Sequence, residues 1–301
     1  MFRLPLILKL GSIGREQNEE LIGGCNMPEL PEVEIIRRSL VDKLKTRQII
    51  NTKIDLPRLI KWPNLTGFQS MVVGRSIIDM TRQGKYLQII LNNGNRIVFH
   101  LRMTGRLRYI DAGISNDDPY TRIVFQLDNG AILVYADTRT LGTVYALLPD
   151  ETWRISGLST MGPEPLSAEF TLAYLTSLLA KSRGKIKSFL LNQKYIGGLG
   201  NIYADECLAL AKIYPERIGG SLTTEETTAL YSAINQVIVD GIKDGGTTFR
   251  DYRDGNGEKG HHQDHLLVYG RAGKPCHSCN ALIQKIEVGG RGTHFCPRCQ
   301  K

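Results

Sequence analysis

The sequence predicts an α+β chain: one leading helix, a β-sandwich or barrel, a helical second half and a small metal module. Three observations carry this reading. Short runs rich in Ile, Val and aromatics, punctuated by Gly and Asn, fill residues 47–148. Apolar residues recur at helical spacing from 167 to 242, and four of the six cysteines form two Cys-x2-Cys pairs between 276 and 299. With 301 residues and 42% hydrophobic content, the chain can bury two modest cores. Its net charge of +8 favours a polyanionic partner.

Residues 1–26 read poorly as structure. The apolar run from Leu4 to Leu10 contains Pro5 and Lys9, and Gly11-Ser12-Ile13-Gly14 follows it. It is too short to span a bilayer, and no small-residue cleavage site follows a clean apolar core. The expectation is a leader that is non-native or disordered. Gly23-Gly24-Cys25-Asn26-Met27 back-translates to codons that permit a ribosome-binding GGAGG just before an ATG, which suggests translation from Met27. An ordinary extension is the alternative. With no export signal, the cysteine pattern suggests a reducing cytoplasm and a metal site.

From Leu30, apolar residues at 30, 33, 36, 40 and 44 describe a helix with acids at its start and bases further on, as a helix dipole favours. Strands are expected at 49–54, 72–80, 86–91, 96–103, 122–127, 132–136 and 143–147. Asn93-Gly94 and Asn129-Gly130 are hairpin turns. Met161-Gly162-Pro163-Glu164-Pro165 reads as the hinge. Helices are then expected at 170–179, 185–191, 202–211 and 224–242. The Gly197-Gly198-Leu199-Gly200-Asn201 turn is too glycine-rich to stay helical. Residues 245–263, glycine-rich and charged, read as a mobile loop. The expected divisions are a leader at 1–26, an N-terminal domain at 27–160, a helical domain with that loop at 161–263 and the metal module at 264–301.

Cys276-x2-Cys279 and Cys296-x2-Cys299, sixteen residues apart, match four-thiolate zinc spacing, with a β-hairpin between the pairs. Four thiolates leave no open coordination position, so one structural zinc is expected. Two disulfides are the alternative. Arg291 at the hairpin tip suits a phosphate or minor-groove contact, or plain surface charge.

Met27-Pro28-Glu29-Leu30-Pro31-Glu32-Val33-Glu34 carries the chemistry. Methionine before proline is readily trimmed, which would leave Pro28 as a free secondary amine of pKa ~8 beside carboxylates. Such an amine can attack a sugar C1′ and form an iminium. If Met1 is the true start, Pro28 N is an unreactive amide.

That opening, together with Gly198-Leu199-Gly200-Asn201-Ile202-Tyr203-Ala204-Asp205-Glu206 and the ending Val268-Tyr269-Gly270-Arg271 with its cysteine pairs and Arg291, resembles the formamidopyrimidine-DNA glycosylases. The resemblance spans 27–301. It implies an N-terminal β-sandwich flanked by helices, then a helical helix-two-turn-helix domain with a four-cysteine zinc-finger β-hairpin. It also makes the 245–263 loop, including Thr247, Thr248, Phe249 and Tyr252, the one that recognises the damaged base, a disordered linker being the alternative. It makes Pro28 the nucleophile, Glu29 the acid that opens the sugar ring, and Glu32 the second, supporting acid. Ordinary first-turn acids are the alternative for both glutamates. Lys85 matches a lysine that approaches the damaged nucleotide, and His100 a phosphate-contacting histidine; solvated and core roles are their alternatives. Asn201, Tyr269 and Arg291 complete an implied phosphate clamp.

In the family a methionine, an arginine and a phenylalanine fill the hole left by an extruded base. Met103 and Arg139 match the first two. Leu141 departs from the third and lacks an aromatic face. The implied partner is double-stranded DNA with oxidised bases or abasic sites, bound by a monomer in a bacterial cytoplasm at the nucleoid and not by a membrane protein. The implied activity is excision of oxidised purines followed by β- and δ-elimination. Its rivals are an endonuclease VIII-like pyrimidine enzyme, and a damage binder with Pro28 blocked.

Overall fold

The computed structural model describes residues 27–301; the expectation for the leader at 1–26 lies outside the described residues. The first helix, α1, runs Leu30–Leu44, with proline in its first turn and Lys43 in its last. Its buried stripe of Val33, Ile36, Leu40 and Leu44 packs into the sandwich core, while Leu30 at its start belongs to a second, helical core. One helix therefore joins the two halves.

The strands are β1 (Ile49–Ile54), β2 (Ile60–Trp62), β3 (Ile77–Gln83), β4 (Tyr86–Leu91), β5 (Arg96–His100), β6 (Gly105–Ile110), β7 (Thr121–Leu127), β8 (Ile132–Asp137) and β9 (Thr143–Leu147). They form two sheets, in the orders β1-β7-β8-β6 and β2-β9-β5-β4-β3. Pairing is antiparallel except for β2 with β9. The sheets share one core, to which Phe125, Leu107 and Tyr135 contribute from the first and Met80, Ile89 and Phe99 from the second. This is the sandwich arrangement, and both Asn-Gly dipeptides turn hairpins within it.

Three expectations are corrected here. The strand read at 72–80 begins only at Ile77, because Leu65–Val72 is a helix (α2) capped by Asn64, whose side chain accepts from Gly67 N at 2.9 Å. The β-branched pair Val72-Val73 disguised that helix end. The strand read at 96–103 stops at His100, where Arg102 takes a left-handed φ of 55°. The strand Gly105–Ile110 was not expected, although Arg106, Leu107, Arg108 and Tyr109 alternate polar and apolar as a half-buried strand does.

The second half holds α3 (Ser156–Ser159), α4 (Leu172–Leu179), α5 (Ile186–Leu190), α6 (Asn201–Leu210) and α7 (Thr224–Lys243). Thr223 and Glu226 close a capping box on α7. The hinge segment is pinned to the sandwich: Glu164 pairs with Arg82 Nη1 at 2.6 Å and accepts from Gly84 N at 2.5 Å. The chain ends in a hairpin of β10 (Gln284–Val288) and β11 (Arg291–Phe295). Arg291 opens β11, and the tip itself is Gly289-Gly290. Residues 245–263, expected to be a mobile loop, are anchored by buried Thr247, Thr248, Tyr252 and His262. Thr248 and His262 find partners within or beside the loop, whereas Thr247 and Tyr252 reach Glu32, more than 200 residues away, which composition alone could not foresee.

Candidate functional site

The base of α1 docks into the glycine-rich turn before α6. Leu30 N donates to Gly198 O at 3.1 Å. The Glu29 carboxylate accepts from Ile202 N at 2.9 Å and Tyr203 N at 3.5 Å, at the N-terminus of α6. The glycines of that turn make room for this contact. A Cβ on Gly200 would lie 2.2 Å from Glu29 Cδ, and one on Gly198 (φ +85°) would lie 2.7 Å from Leu30. Two motifs some 170 residues apart in sequence therefore interlock around one carboxylate.

Glu29 is buried, and Pro28 beside it is buried too. Burial raises the Glu29 pKa to about 7, against the pull of Lys85 and of the two backbone N–H groups; the Glu32 carboxylate raises it further. Desolvation wins, so a substantial fraction of this acid holds its proton near neutrality. Glu34, two residues past Glu32 in the same motif, goes the opposite way. Arg37, Arg38 and Arg82 surround it and overcome its partial burial, holding it at about 2.

Glu32 is a junction. Its carboxylate accepts from Glu29 N at 2.9 Å, Tyr203 Oη at 2.8 Å and Thr247 N at 2.7 Å. It thus ties the start of α1 to α6 and to the 245–263 loop, which goes beyond the ordinary dipole role of a first-turn acid. The contacts that Tyr203 and Thr247 make with Glu32 are tertiary and carry no sequence signal.

Lys85, at the β3–β4 turn, is buried rather than solvated. Burial lowers its pKa, the Glu29 and Glu32 carboxylates oppose the shift, and Arg291 and Arg102 add to it. Lys85 is therefore the point on which the two acids, Arg102 and Arg291 all act, from separate segments of the chain. Arg102 is a site residue that the sequence reading missed; its left-handed backbone is visible only in the fold.

His100 is buried against Tyr86, with ring centroids 4.6 Å apart at 80°. Its Nδ1 accepts from Arg102 N at 3.2 Å. Burial, with Arg102 and Lys85 nearby, pushes its pKa down to about 3, so the ring is neutral. Any contact it makes with a phosphate is that of a neutral N–H donor. Met103 and Arg139 lie together, with Nη1 3.4 Å from Sδ, and Leu141 is exposed nearby in the chain.

The other expected clamp residues meet at the zinc hairpin. Asn201 Nδ2 donates to Gly292 O at 3.1 Å, next to Arg291, and its buried Oδ1 has no hydrogen-bond partner. Tyr269 packs between Phe249 of the loop and His294 of β11, with centroids 5.8 and 4.9 Å away. Three charged residues unassigned by sequence hold this assembly. Lys187 pairs with Asp205 at 2.6 Å, fully buried, and also donates to Gly292 O at 3.1 Å. Asp205 in turn accepts from His294 N at 2.8 Å, while Glu206 accepts from the N–H groups of Leu267, Val268 and Tyr269. Asp205 and Glu206 stand in the recognised motif; Lys187 carried no sequence signal.

Cys276, Cys279, Cys296 and Cys299 converge with their sulfurs within 4.8 Å of one another and are free thiols. Cys276–Cys299 and Cys279–Cys296 are 3.9 and 3.4 Å apart. A zinc–sulfur bond of about 2.3 Å places tetrahedral sulfurs roughly 3.8 Å apart, so this set fits zinc and not disulfides.

Comparison with known proteins agrees with this geometry. Residues 27–144 match the formamidopyrimidine-DNA glycosylase N-terminal domain, 161–253 the H2TH domain of the same family, and 273–301 the zinc finger found in FPG and IleRS. A formamidopyrimidine-DNA glycosylase of Desulforamulus reducens is 46% identical over 91% of this chain and 99% of its own. One from Pelotomaculum thermopropionicum is 44% identical with the same coverage. Lactococcus lactis Fpg, solved with abasic-site DNA, superposes with a TM-score of 0.84 at 36% identity, covering 91% of this chain and 99% of that one. Models of the family match both halves of the chain and its relatives are matched nearly end to end, and the chain belongs to the formamidopyrimidine-DNA glycosylase family.

Proposed function

We propose that the chain, beginning at Pro28, excises oxidised purines such as 8-oxoguanine and formamidopyrimidines from duplex DNA and then cuts the abasic strand. The observation that carries this is the Glu29 carboxyl, buried beside Pro28 and holding its proton near neutrality, with the buried Lys85 as its cationic neighbour. The match to the N-terminal domain starting at residue 27, and the near end-to-end coverage of the relatives, support a mature start there.

The Pro28 amine attacks C1′, and the base leaves with the glycosidic electron pair and the proton that the amine gives up. Glu29 gives its proton to O4′, which opens the ring and leaves an iminium. Loss of a C2′ proton expels the 3′ phosphate, and a second elimination expels the 5′ phosphate. Glu32 positions the segment; Lys85 and Arg291 hold the phosphate and nucleotide against the acids; His100, Asn201 and Tyr269 complete the clamp. Met103, Arg139 and Leu141 occupy the gap in the stack. Cys276, Cys279, Cys296 and Cys299 hold one structural zinc, which when bound cross-links the hairpin that carries Arg291. The domains divide at 160 and 263, and the monomer acts on nucleoid DNA in a bacterial cytoplasm.

Borohydride trapping on an 8-oxoguanine duplex tests the reading. The natively processed protein should form a covalent adduct through Pro28, identified by mass spectrometry. A nicked strand produced by protein that retains residues 1–26 would overturn it. Lactococcus lactis Fpg has also been solved with oxidised-pyrimidine DNA. A thymine-glycol duplex assayed in parallel therefore ranks the pyrimidine reading against the purine one.

A further inference from the structure

We infer that Asp244, His262 and His265 form a second metal site, for a divalent first-row transition ion, which staples the two ends of the 245–261 loop. The three ligand atoms lie within 4.8 Å of one another. Both histidines present Nδ1 to the same Asp244 oxygen, His262 at 2.9 Å and His265 at 2.8 Å. Asp244 closes α7, and the histidines flank a 3-10 turn at the far end of the loop.

The site is rigid before any ion arrives. His261 N donates to Asp244 O at 2.9 Å and His262 N to Gly246 O at 3.1 Å, so backbone pairs already close the loop. The His262 ring is buried and stacks on Tyr203, with centroids 5.5 Å apart at 14°. The His265 side chain is 64% exposed and offers the entry path. Asp240 and Asp264 also act on His265, so the surroundings favour a cation.

The donor set selects the ion. Two imidazoles and one carboxylate suit Zn, Ni, Co or Fe(II), whereas Ca2+ and Mg2+ take oxygen ligands. With bonds of about 2.1 Å, donors this close subtend roughly 85° at the metal, which favours octahedral or tetragonal ions such as Ni2+ and Co2+ over tetrahedral zinc. The consequence reaches the acids. Tyr203, against which His262 is stacked, donates to Glu32, and Glu32 also holds Thr247 at the start of the loop. An ion at this site would therefore restrain the loop at the end away from Glu32 as well.

The test is Ni2+ alone, titrated into the tag-free, zinc-loaded full chain. The parent should bind Ni2+ at one further site, and His265→Ala, at an exposed side chain, should weaken that binding by about tenfold or more. Amide exchange across 247–261 should slow on adding Ni2+ to the parent and not to His265→Ala. With Co2+, a weak nitrogen/oxygen-type visible band is expected. Parent and variant binding Ni2+ equally, no Ni2+ bound by either, or a Co2+ spectrum dominated by thiolate bands would each overturn the inference. Metal binding is the readout, so such a failure leaves the proposed glycosylase chemistry untouched.

Discussion

The start of α1 and the C-terminal thiolate module both gather charged or ligating side chains, and they do so in opposite ways. The four cysteines come from one segment of 24 residues, paired two apart, so local turns alone bring their sulfurs to zinc distance. Glu29 and Glu32 are shaped by groups found up to 215 residues away: the N–H groups of Ile202 and Tyr203, the Tyr203 hydroxyl, Thr247 N and the buried Lys85. A ligand set can be written locally because a metal needs only donors at short range. An acid raised as Glu29 is needs water removed from every side, which only packing achieves, whereas Glu34 is lowered chiefly by its helix neighbours Arg37 and Arg38.

The sharpest way to break the comparison is Glu29→Gln. Base excision should fall by about 10²- to 10⁴-fold in single-turnover assays while gel-shift binding survives. Stability should move the other way. The folded pKa of Glu29, about 7, lies above its ordinary 4.5. The buried carboxyl therefore stabilises fully below about 4.5, and that contribution is lost as pH rises through 7. Glutamine mimics the protonated acid, so the variant should gain on the order of 1–3 kcal/mol over the parent at pH 8 and nothing at pH 4 in urea titrations. For the parent, the excision rate should decline above about pH 7 as the acid loses its proton.

Gly200→Ala attacks the same acid without touching it. Its Cβ would sit 2.2 Å from Glu29 Cδ, so the carboxylate must move. Excision should drop by about 10- to 100-fold with zinc content unchanged; an unaltered rate would mean that this interlock does not position the acid.

Removing zinc, by chelator or Cys279→Ser, tests the other region. The hairpin carrying Arg291 should loosen, weakening DNA binding by about tenfold and lowering the salt slope by roughly one. The thermal transition of the sandwich should stay in place, because its core shares no residue with the cysteine cluster. A joint loss of both would erase the distinction between local and distant assembly.

Leu141→Phe is the smallest change. An aromatic face at this exposed position should sharpen discrimination among the four bases opposite a lesion by roughly 2- to 10-fold in excision rate. Equal kinetics across all four would assign Leu141 no part in reading that base.

Much of the molecule was legible from residue order. The α1 stripe, the Asn-Gly hairpins, the helical spacing of the second half and the cysteine pairs each rest on contacts with near neighbours. The strand at 105–110 was legible too, in the alternation of Arg106, Leu107, Arg108 and Tyr109, though it went unread; the helix at 65–72 was not, because the β-branched Val72-Val73 masked its end. Motif resemblance named Pro28, Glu29, Glu32, Lys85, His100, Asn201, Tyr269 and Arg291, but it did not say what state they would be in.

The chain's own order of residues determined most of its element types, the pairing of its four clustered cysteines and the family to which it belongs. Only the tertiary structure decided that Glu29 titrates near 7, that His100 is neutral, that Lys187 and Asp205 lock the hairpin, and that the 245–263 loop is tied to Glu32. Secondary structure and metal spacing follow from short-range sterics and periodicity. Ionisation depends on which distant groups exclude water and supply charge, and those meet only once the chain has folded.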